Sequence, residues 1–151
     1  MADTREIEKL IRALEKIQRN EEAAKKVVET VHAKVAERIF NESGTKDING
    51  ASLGRYSKSY LRHRIKEAKG SNPRVKLQFT TAMSNDFYVV TLPAKRGKFR
   101  FGSGFKNSIN YKKSIWVEKT YDKVDKIFAL SEQEEKLFFN LTEKYIQNAL
   151  D

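Results

Sequence analysis

Apolar residues at both ends of the chain recur with the spacing of an α-helix, which restricts the fold to one with helices in its first and last parts. Residues 1–42 follow an i, i+3, i+4, i+7 pattern that forms one apolar stripe. Asn20 interrupts this stripe and can cap a following helix. Either two helices therefore meet near residue 20, or one long helix is weakened there. Residues 131–150 repeat the helical pattern, and Ser131 and Glu134 have the spacing of a capping box.

A segment with many turn-forming residues and no helical period follows the first 42 residues. Its glycines are Gly44, Gly50, Gly54 and Gly70. Glycine and asparagine at such spacing are typical of turns. Ser57 can cap a short helix inside the segment. We interpret residues 43–73 as a long, basic, extended loop, a kind of segment that usually carries function.

The next segment alternates apolar and polar residues, which predicts β-strands. The alternation covers residues 75–79 and 98–102, and an apolar run covers 87–92. Turn-forming residues at 93–98 predict an antiparallel hairpin, which the Ser-Gly pair at 103–104 would end.

Three short stretches of the same region have weaker patterns. Residues 83–86 are expected to form a short connection, and residues 107–116 are ambiguous but can form a short helix. Residues 127–130 can form a short strand or a hydrophobic staple in front of the last helix.

These patterns together predict a single α+β domain over residues 1–151. Its predicted parts are an N-terminal amphipathic helical region (1–42), a long basic loop (43–73), a small antiparallel sheet region (74–130) and a C-terminal helix packed on the sheet (131–150).

The positive charge of the chain is concentrated in its middle. The formal net charge is +10. Residues 43–113 hold sixteen Lys and Arg against three acidic residues, whereas residues 1–42 are balanced and residues 114–151 are net negative. A segment with such an excess attracts anions.

Residue sets that catalyse reactions are missing from this sequence. There is no cysteine, no glycine-rich phosphate loop, and neither histidine belongs to a metal-spaced motif. We interpret His32 as a boundary residue of a helix, and His63 as a solvated loop residue or a phosphate contact. Asp47 is explained by an Asx-turn before Asn49-Gly50. We therefore predict no enzyme, no catalytic residue, no metal and no cofactor.

Basic residues interleaved with aromatic ones form the candidate site. The residues predicted to contact a neighbouring subunit or partner are Tyr56, Tyr60, Arg62, Arg64 and Lys66. Those predicted to contact DNA or an acidic partner are Arg55, Lys58, Lys69, Lys95, Arg96, Lys98 and Arg100. Lysine and arginine neutralise phosphates, and aromatic rings can stack on bases. Alternatively, Phe99 and Phe101 face the core while Lys98 and Arg100 face water.

The order of several short motifs and single residues along the chain also indicates a family resemblance. They are Arg38-Ile39-Phe40, Gly44, Asp47, Gly50, Gly54, Tyr56-Ser57, Tyr60, Leu77, Thr80, Met83, Asn85-Asp86-Phe87, Gly102-Ser103-Gly104-Phe105 and Ile127-Phe128-Ala129-Leu130-Ser131. In this order the chain, over roughly residues 30–150, resembles the tail-completion or neck proteins of long-tailed bacteriophages (the virion-morphogenesis, minor tail protein group). The chain has Thr81-Ala82 where that family usually has a glycine, which weakens the match of this turn.

The resemblance implies a structural virion protein that joins a ring, often six-fold, at the head–tail interface or the tail end. Its partners would be further copies of itself and other neck or tail proteins, and DNA would pass through the ring without sequence-specific contacts. The resemblance also implies assembly in the host cytoplasm. In the sequence itself, no apolar run approaches the length of a membrane span. The alternative is a non-sequence-specific nucleic-acid-binding protein that uses residues 55–100. A small hydrolase or nuclease is a third and weaker hypothesis.

Overall fold

The computed structural model describes residues 4–41, 43–67, 69–77, 81–95, 98–121 and 126–150. The described residues form an α+β fold, as predicted, with six helices and one two-stranded antiparallel sheet. In chain order the elements are α1 (Thr4–Arg19), α2 (Glu21–Ile39), α3 (Lys58–Lys66), α4 (Thr81–Asp86), β1 (Phe87–Lys95), β2 (Lys98–Phe105), α5 (Ser108–Thr120) and α6 (Glu132–Leu150).

Two helices rather than one form the N-terminal region. The side-chain oxygen of Asn20 accepts a hydrogen bond from the backbone N–H of Ala23 at 3.1 Å, and this caps α2. Capping by asparagine satisfies an N–H group that the first turn of a helix leaves free. The first of the two alternatives at residue 20 is therefore correct.

Apart from one short helix, the described residues of the predicted loop 43–73 lie outside regular helices and strands, but the first part of the loop packs on the core and does not extend away from it. Thr45 is fully buried, and its hydroxyl donates to the carbonyl of Ile39 at 2.7 Å and accepts from the N–H of Leu77 at 2.9 Å. The segment also contains α3, whose N-cap is Ser57, as the sequence suggested. Gly44 has a φ of 125°, and a Cβ there would lie 3.1 Å from Cβ of Arg74. Buried polar groups with internal partners thus hold this segment in place.

The sheet is a single hairpin in which Phe87 pairs with Phe105 and Val90 pairs with Gly102. β1 includes the predicted run 87–92 and continues to residue 95, beyond the point where a turn was expected. β2 continues through the Ser-Gly pair that was expected to end it.

Other local predictions in the sheet region need correction. The described part of the predicted strand 75–79 is not a strand, and residues 78 and 79 lie outside the described residues. Arg74 forms only an isolated bridge with Arg55. Residues 83–86 belong to α4 and are not a connection. Residues 107–116, by contrast, form the N-cap and first turns of α5, so the short helix suggested for this ambiguous stretch is present. Residues 127–130 form bends rather than a strand, because their backbone groups bond to side chains.

The core lies where α2, the sheet and the segment before α6 meet. Val35, Ile39 and Ile127 are almost fully buried there together with Phe87. The ring of Phe87 stands 5.2 Å from that of Phe105 and 6.3 Å from that of Phe128. The C-terminal helix α6 packs on the sheet, as predicted, and also along α2 and α1.

A buried ion pair ties this core together. Arg38 Nε donates to Glu134 Oε1 at 2.8 Å, and Arg38 Nη2 donates to Glu134 Oε2 at 3.1 Å. The same guanidinium donates to the carbonyls of Lys46, Ile127 and Ala129. One side chain therefore joins the end of α2, the segment after it and the start of α6. Bidentate pairs of this kind are both strong and directional.

Glu134 also completes the predicted capping box. Its carboxylate accepts from the N–H of Ser131 at 2.8 Å, and the Ser131 hydroxyl accepts from the N–H of Glu134 at 3.3 Å. Burial of the carboxyl would raise its pKa. The hydrogen bonds from Arg38 and Ser131 outweigh burial and hold the pKa of Glu134 below its ordinary value. The carboxylate is therefore ionised and paired at neutral pH.

Candidate functional site

Arg64 was predicted to contact a partner, but it is buried in the chain's own fold. It is 1% exposed, and its Nη2 donates to the carbonyl of Lys69 at 2.7 Å. Its guanidinium carbon lies 4.6 Å from the ring centre of Tyr56, and its Nη1 donates to the Tyr56 hydroxyl at 3.3 Å. The prediction for Arg64 therefore does not fit the structure, since a partner cannot reach this side chain. Arginine is suited to such a position because its planar group can stack and donate at once.

Tyr56 is half-buried and belongs to the same internal arrangement. Its hydroxyl donates to the carbonyl of Lys76 at 3.1 Å and accepts from the N–H of Lys76 at 3.1 Å. Its ring lies 5.2 Å from the ring of Tyr60. Tyr56 and Arg64 thus fix the inner side of α3 to the segment that ends near residue 76.

The outer side of α3 carries three basic residues. Lys58, Arg62 and Lys66 are all exposed and follow one another at intervals of four residues. Residues four apart lie on the same face of a helix, so the three cations form one stripe, which we call the α3 basic stripe. Tyr60 is also exposed. These three residues thus lie on the short helix that Ser57 was expected to cap.

Two further predicted cations lie close to this stripe in the chain. Arg55 is exposed, and its backbone forms a bridge with that of Arg74, which is also exposed. Lys69 is half-buried, and Arg64 holds its carbonyl. The structure therefore places exposed positive charge on α3 and just before it. Tyr56 and Arg64 support this helix from its inner side.

Of the cations predicted on the hairpin, the structure describes only some of the side chains. Arg100 is exposed on β2, while Phe99 and Phe101 on either side are half-buried, so the alternation holds for these residues. Arg100 lines a cleft between α2, β2 and α6 and not the α3 basic stripe. The backbone of Lys95 pairs with that of Lys98, but their side chains, like the whole of Arg96, lie outside the described residues.

The cleft beside Arg100 has a volume of about 610 Å³ and an apolar lining that contains one histidine. His32 Nδ1 lies 2.8 Å from the Ser103 hydroxyl, and its Nε2 lies 3.3 Å from the Phe87 carbonyl. The carbonyl can only accept, so Nε2 carries the proton and Nδ1 accepts from Ser103. Burial lowers the pKa of His32, and the Phe87 carbonyl and Glu29 oppose this only in part. His32 is thus a neutral boundary histidine, in agreement with its predicted place.

Asp47 forms the Asx-turn that was predicted. It is almost fully buried, and its Oδ1 accepts from the N–H groups of Asn49 and Ala51 at 2.9 and 2.8 Å.

His63 is exposed on α3. Across the part of the chain that the structure describes, no three His, Asp or Glu residues are grouped as a metal site, and no helix has the length and apolarity to cross a membrane.

Exposed apolar residues are the feature that the sequence patterns missed. Trp116 on α5 is 64% exposed and Phe139 on α6 is 66% exposed. A stripe on α1 is about half exposed as well, and it consists of Ile7, Leu10, Ile11 and Leu14. The one signal in the sequence was that residues 107–116 contain apolar residues that fit neither helix nor strand period. Large exposed apolar groups on several helices are a mark of an interaction surface.

Comparisons with known proteins give no further assignment. No protein-family model, no curated protein and no solved structure matches this chain.

Proposed function

We propose that this chain is a structural virion protein of a tailed bacteriophage, a ring-forming neck or tail-completion component at the head–tail interface. The observation that carries the proposal is the exposure of large apolar side chains on three helices, α1, α5 and α6. Monomeric proteins rarely leave so many large apolar groups in water, and protein interfaces use them. Further copies of the chain and other neck or tail proteins would cover these surfaces.

The order of residues that resembles the phage proteins supports the same proposal. Several of these residues have structural roles that explain their positions in the order. Arg38 binds Glu134, Asp47 caps a turn, and Tyr56 supports α3. Such roles suit a chain whose task is to hold a shape, whereas catalysis needs groups that face a substrate.

In this proposal the α3 basic stripe attracts the DNA that passes through the ring. In a ring through which DNA passes, exposed cations would attract phosphates without reading a sequence. Arg55 and the residues Lys58, Arg62 and Lys66 supply that charge. We expect the ring to be six-fold, as the resemblance implies, and to be part of the virion.

Native mass spectrometry and negative-stain imaging of the purified protein test the proposal. We expect closed oligomers of a single copy number, formed either alone or with the other neck and tail proteins of the same particle. Labelling of the protein in intact particles should mark the neck or the end of the tail. A chain that stays monomeric with and without these proteins contradicts the proposal.

A second candidate is a non-sequence-specific nucleic-acid-binding protein, and the α3 basic stripe is the observation that favours it. Binding to duplex and to single-stranded DNA can be titrated with salt. Phosphate contacts predict that the logarithm of the binding constant falls by about 0.9 per neutralised phosphate for each decade of salt. The variant Lys58→Glu/Lys66→Glu should weaken binding to every sequence equally. Absence of binding at low salt removes this candidate.

A further inference from the structure

The outer face of α5 combines large apolar side chains with lysines. Trp116 and Ile109 are both exposed and lie seven residues apart, so they project from the same side of the helix. Lys112 and Lys113, which are also exposed, lie between them. None of the exposed residues of α5 is acidic. This face, which we call the α5 face, is therefore apolar and positive.

The α5 face is held in one orientation by contacts on the opposite side of the helix. Asn110 is buried, and its Nδ2 donates to Asp86 Oδ2 at 2.9 Å. Near the other end, Glu118 Oε1 accepts from the N–H groups of Ile127 and Phe128 at 3.0 Å. Because both ends are fixed from inside, Trp116 projects from a rigid support and needs little ordering when it binds.

The outer face of α6 has the same construction with the opposite charge. Phe139 and Ile146 are exposed and again lie seven residues apart. Glu143 lies between them and Glu135 lies one turn before Phe139, and both carboxylates are exposed. Two exposed cations lie next to them in the sequence: Lys136 is bound to Glu132 at 2.6 Å, and Lys144 lies about 100° round the helix from Glu143. We call this the α6 face.

We propose that the α5 face of one copy binds the α6 face of the next copy. The spacing of the apolar pairs is equal, at about 10 Å along each helix axis, and the charges between them are opposite. Pairing of two α5 faces would place lysines against lysines, which is unfavourable. The inference rests on the proposed function, because it requires a chain that assembles with itself.

Such a contact joins two different surfaces of the same chain. A contact of this type is heterologous, and repeated head to tail it closes into a ring or continues as a filament. The proposal therefore names the surfaces that a ring of this protein would use, and each copy would contribute one face to each neighbour.

Charge reversal tests the pairing. Sedimentation velocity over a range of concentrations should show that Lys112→Glu/Lys113→Glu and Glu135→Lys/Glu143→Lys each weaken self-association by roughly tenfold or more, and Trp116→Ala by a similar factor. Combining both reversals in one chain should restore association. The matched control Lys16→Glu/Lys26→Glu makes the same change of charge on exposed parts of α1 and α2 and should associate like the unaltered chain.

A mixing experiment tests the head-to-tail arrangement. Trp116→Glu disables only the α5 face and Phe139→Glu disables only the α6 face, and the two altered faces repel each other, so an equimolar mixture of these two variants should form heterodimers and nothing larger. If all the variants assemble like the unaltered chain, the inference is wrong while the proposed function stands. If the α5 variants fail to assemble but the α6 variants assemble normally, the α5 face binds a surface other than the α6 face. The inference is then also wrong. If the unaltered chain stays monomeric both alone and with the other neck and tail proteins, the proposed function itself fails.

Discussion

The first two helices have similar sequence patterns but very different surroundings. On α2 the apolar stripe is the centre of the core, where Val35 is 1% exposed. On α1 the corresponding stripe is 46% to 57% exposed, and Ala13 is the one buried residue among the α1 side chains that the structure describes. The difference teaches that an amphipathic pattern predicts a helix without predicting which surface covers it. Most helical stability comes from packing, so α1 gains less stability than α2 from contacts within the chain.

The largest effect should come from the buried pair at the end of α2. Arg38→Ala leaves the Glu134 carboxylate buried without its partner, and we expect a loss of about 3–5 kcal/mol in the free energy of unfolding. Urea denaturation measures it. The control is Lys34→Ala, whose pair with Glu37 is exposed and should matter by about 0–1 kcal/mol. Equal effects of the two substitutions would show that Arg38 is not the link between α2 and α6.

A pair of substitutions compares the two stripes directly. Ile39→Ala in α2 removes a fully buried side chain and should cost about 2–5 kcal/mol in the free energy of unfolding. Leu14→Ala in α1 should cost less than about 1 kcal/mol in the monomer, because more than half of that side chain is already in water. Thermal or urea unfolding at low protein concentration measures both. A large loss for Leu14→Ala would mean that α1 is covered by the chain itself.

The smallest effect concerns pH and belongs to the edge of α2. The folded chain lowers the pKa of His32, so the unfolded chain binds the proton more readily. Stability that depends on neutral His32 is complete above its ordinary pKa of about 6.5 and decreases as the pH falls below it. Unfolding measured between pH 7.5 and 5.5 should show this decrease, and His32→Gln should reduce it. A variant with an unchanged pH profile would assign the decrease to other groups.

The sequence predicted the parts of the fold that depend on neighbours in the chain. The cap at Asn20, the capping box at Ser131 and the Asx-turn at Asp47 each use groups within a few residues, so local spacing was sufficient. The class of fold and the hairpin were also predicted. What failed were features set by distant residues, such as the burial of Thr45, which bonds to the N–H of Leu77.

The candidate site shows the same limit. Arg62 and Arg64 are two residues apart in one basic run, and no composition argument distinguishes them. On a nine-residue helix they point in different directions, so Arg62 meets solvent and Arg64 meets Tyr56. The exposure of Trp116 was equally unpredictable, because an aromatic residue in a helix is usually assigned to a core.

The bond between Arg38 and Glu134 has a consequence for the order in which the chain acquires its structure. The two residues are 96 positions apart, and the carbonyls of Ile127 and Ala129 that bind the same guanidinium are almost as distant. During synthesis at about 5–20 residues per second, α2 leaves the ribosome several seconds before its partners exist. Until then its apolar stripe can pack only on the sheet and on the residues between α2 and the sheet. The closing step of folding thus belongs to the last part of the chain to be made, and a chain stopped before residue 127 would leave uncovered the side of α2 that packs on α6.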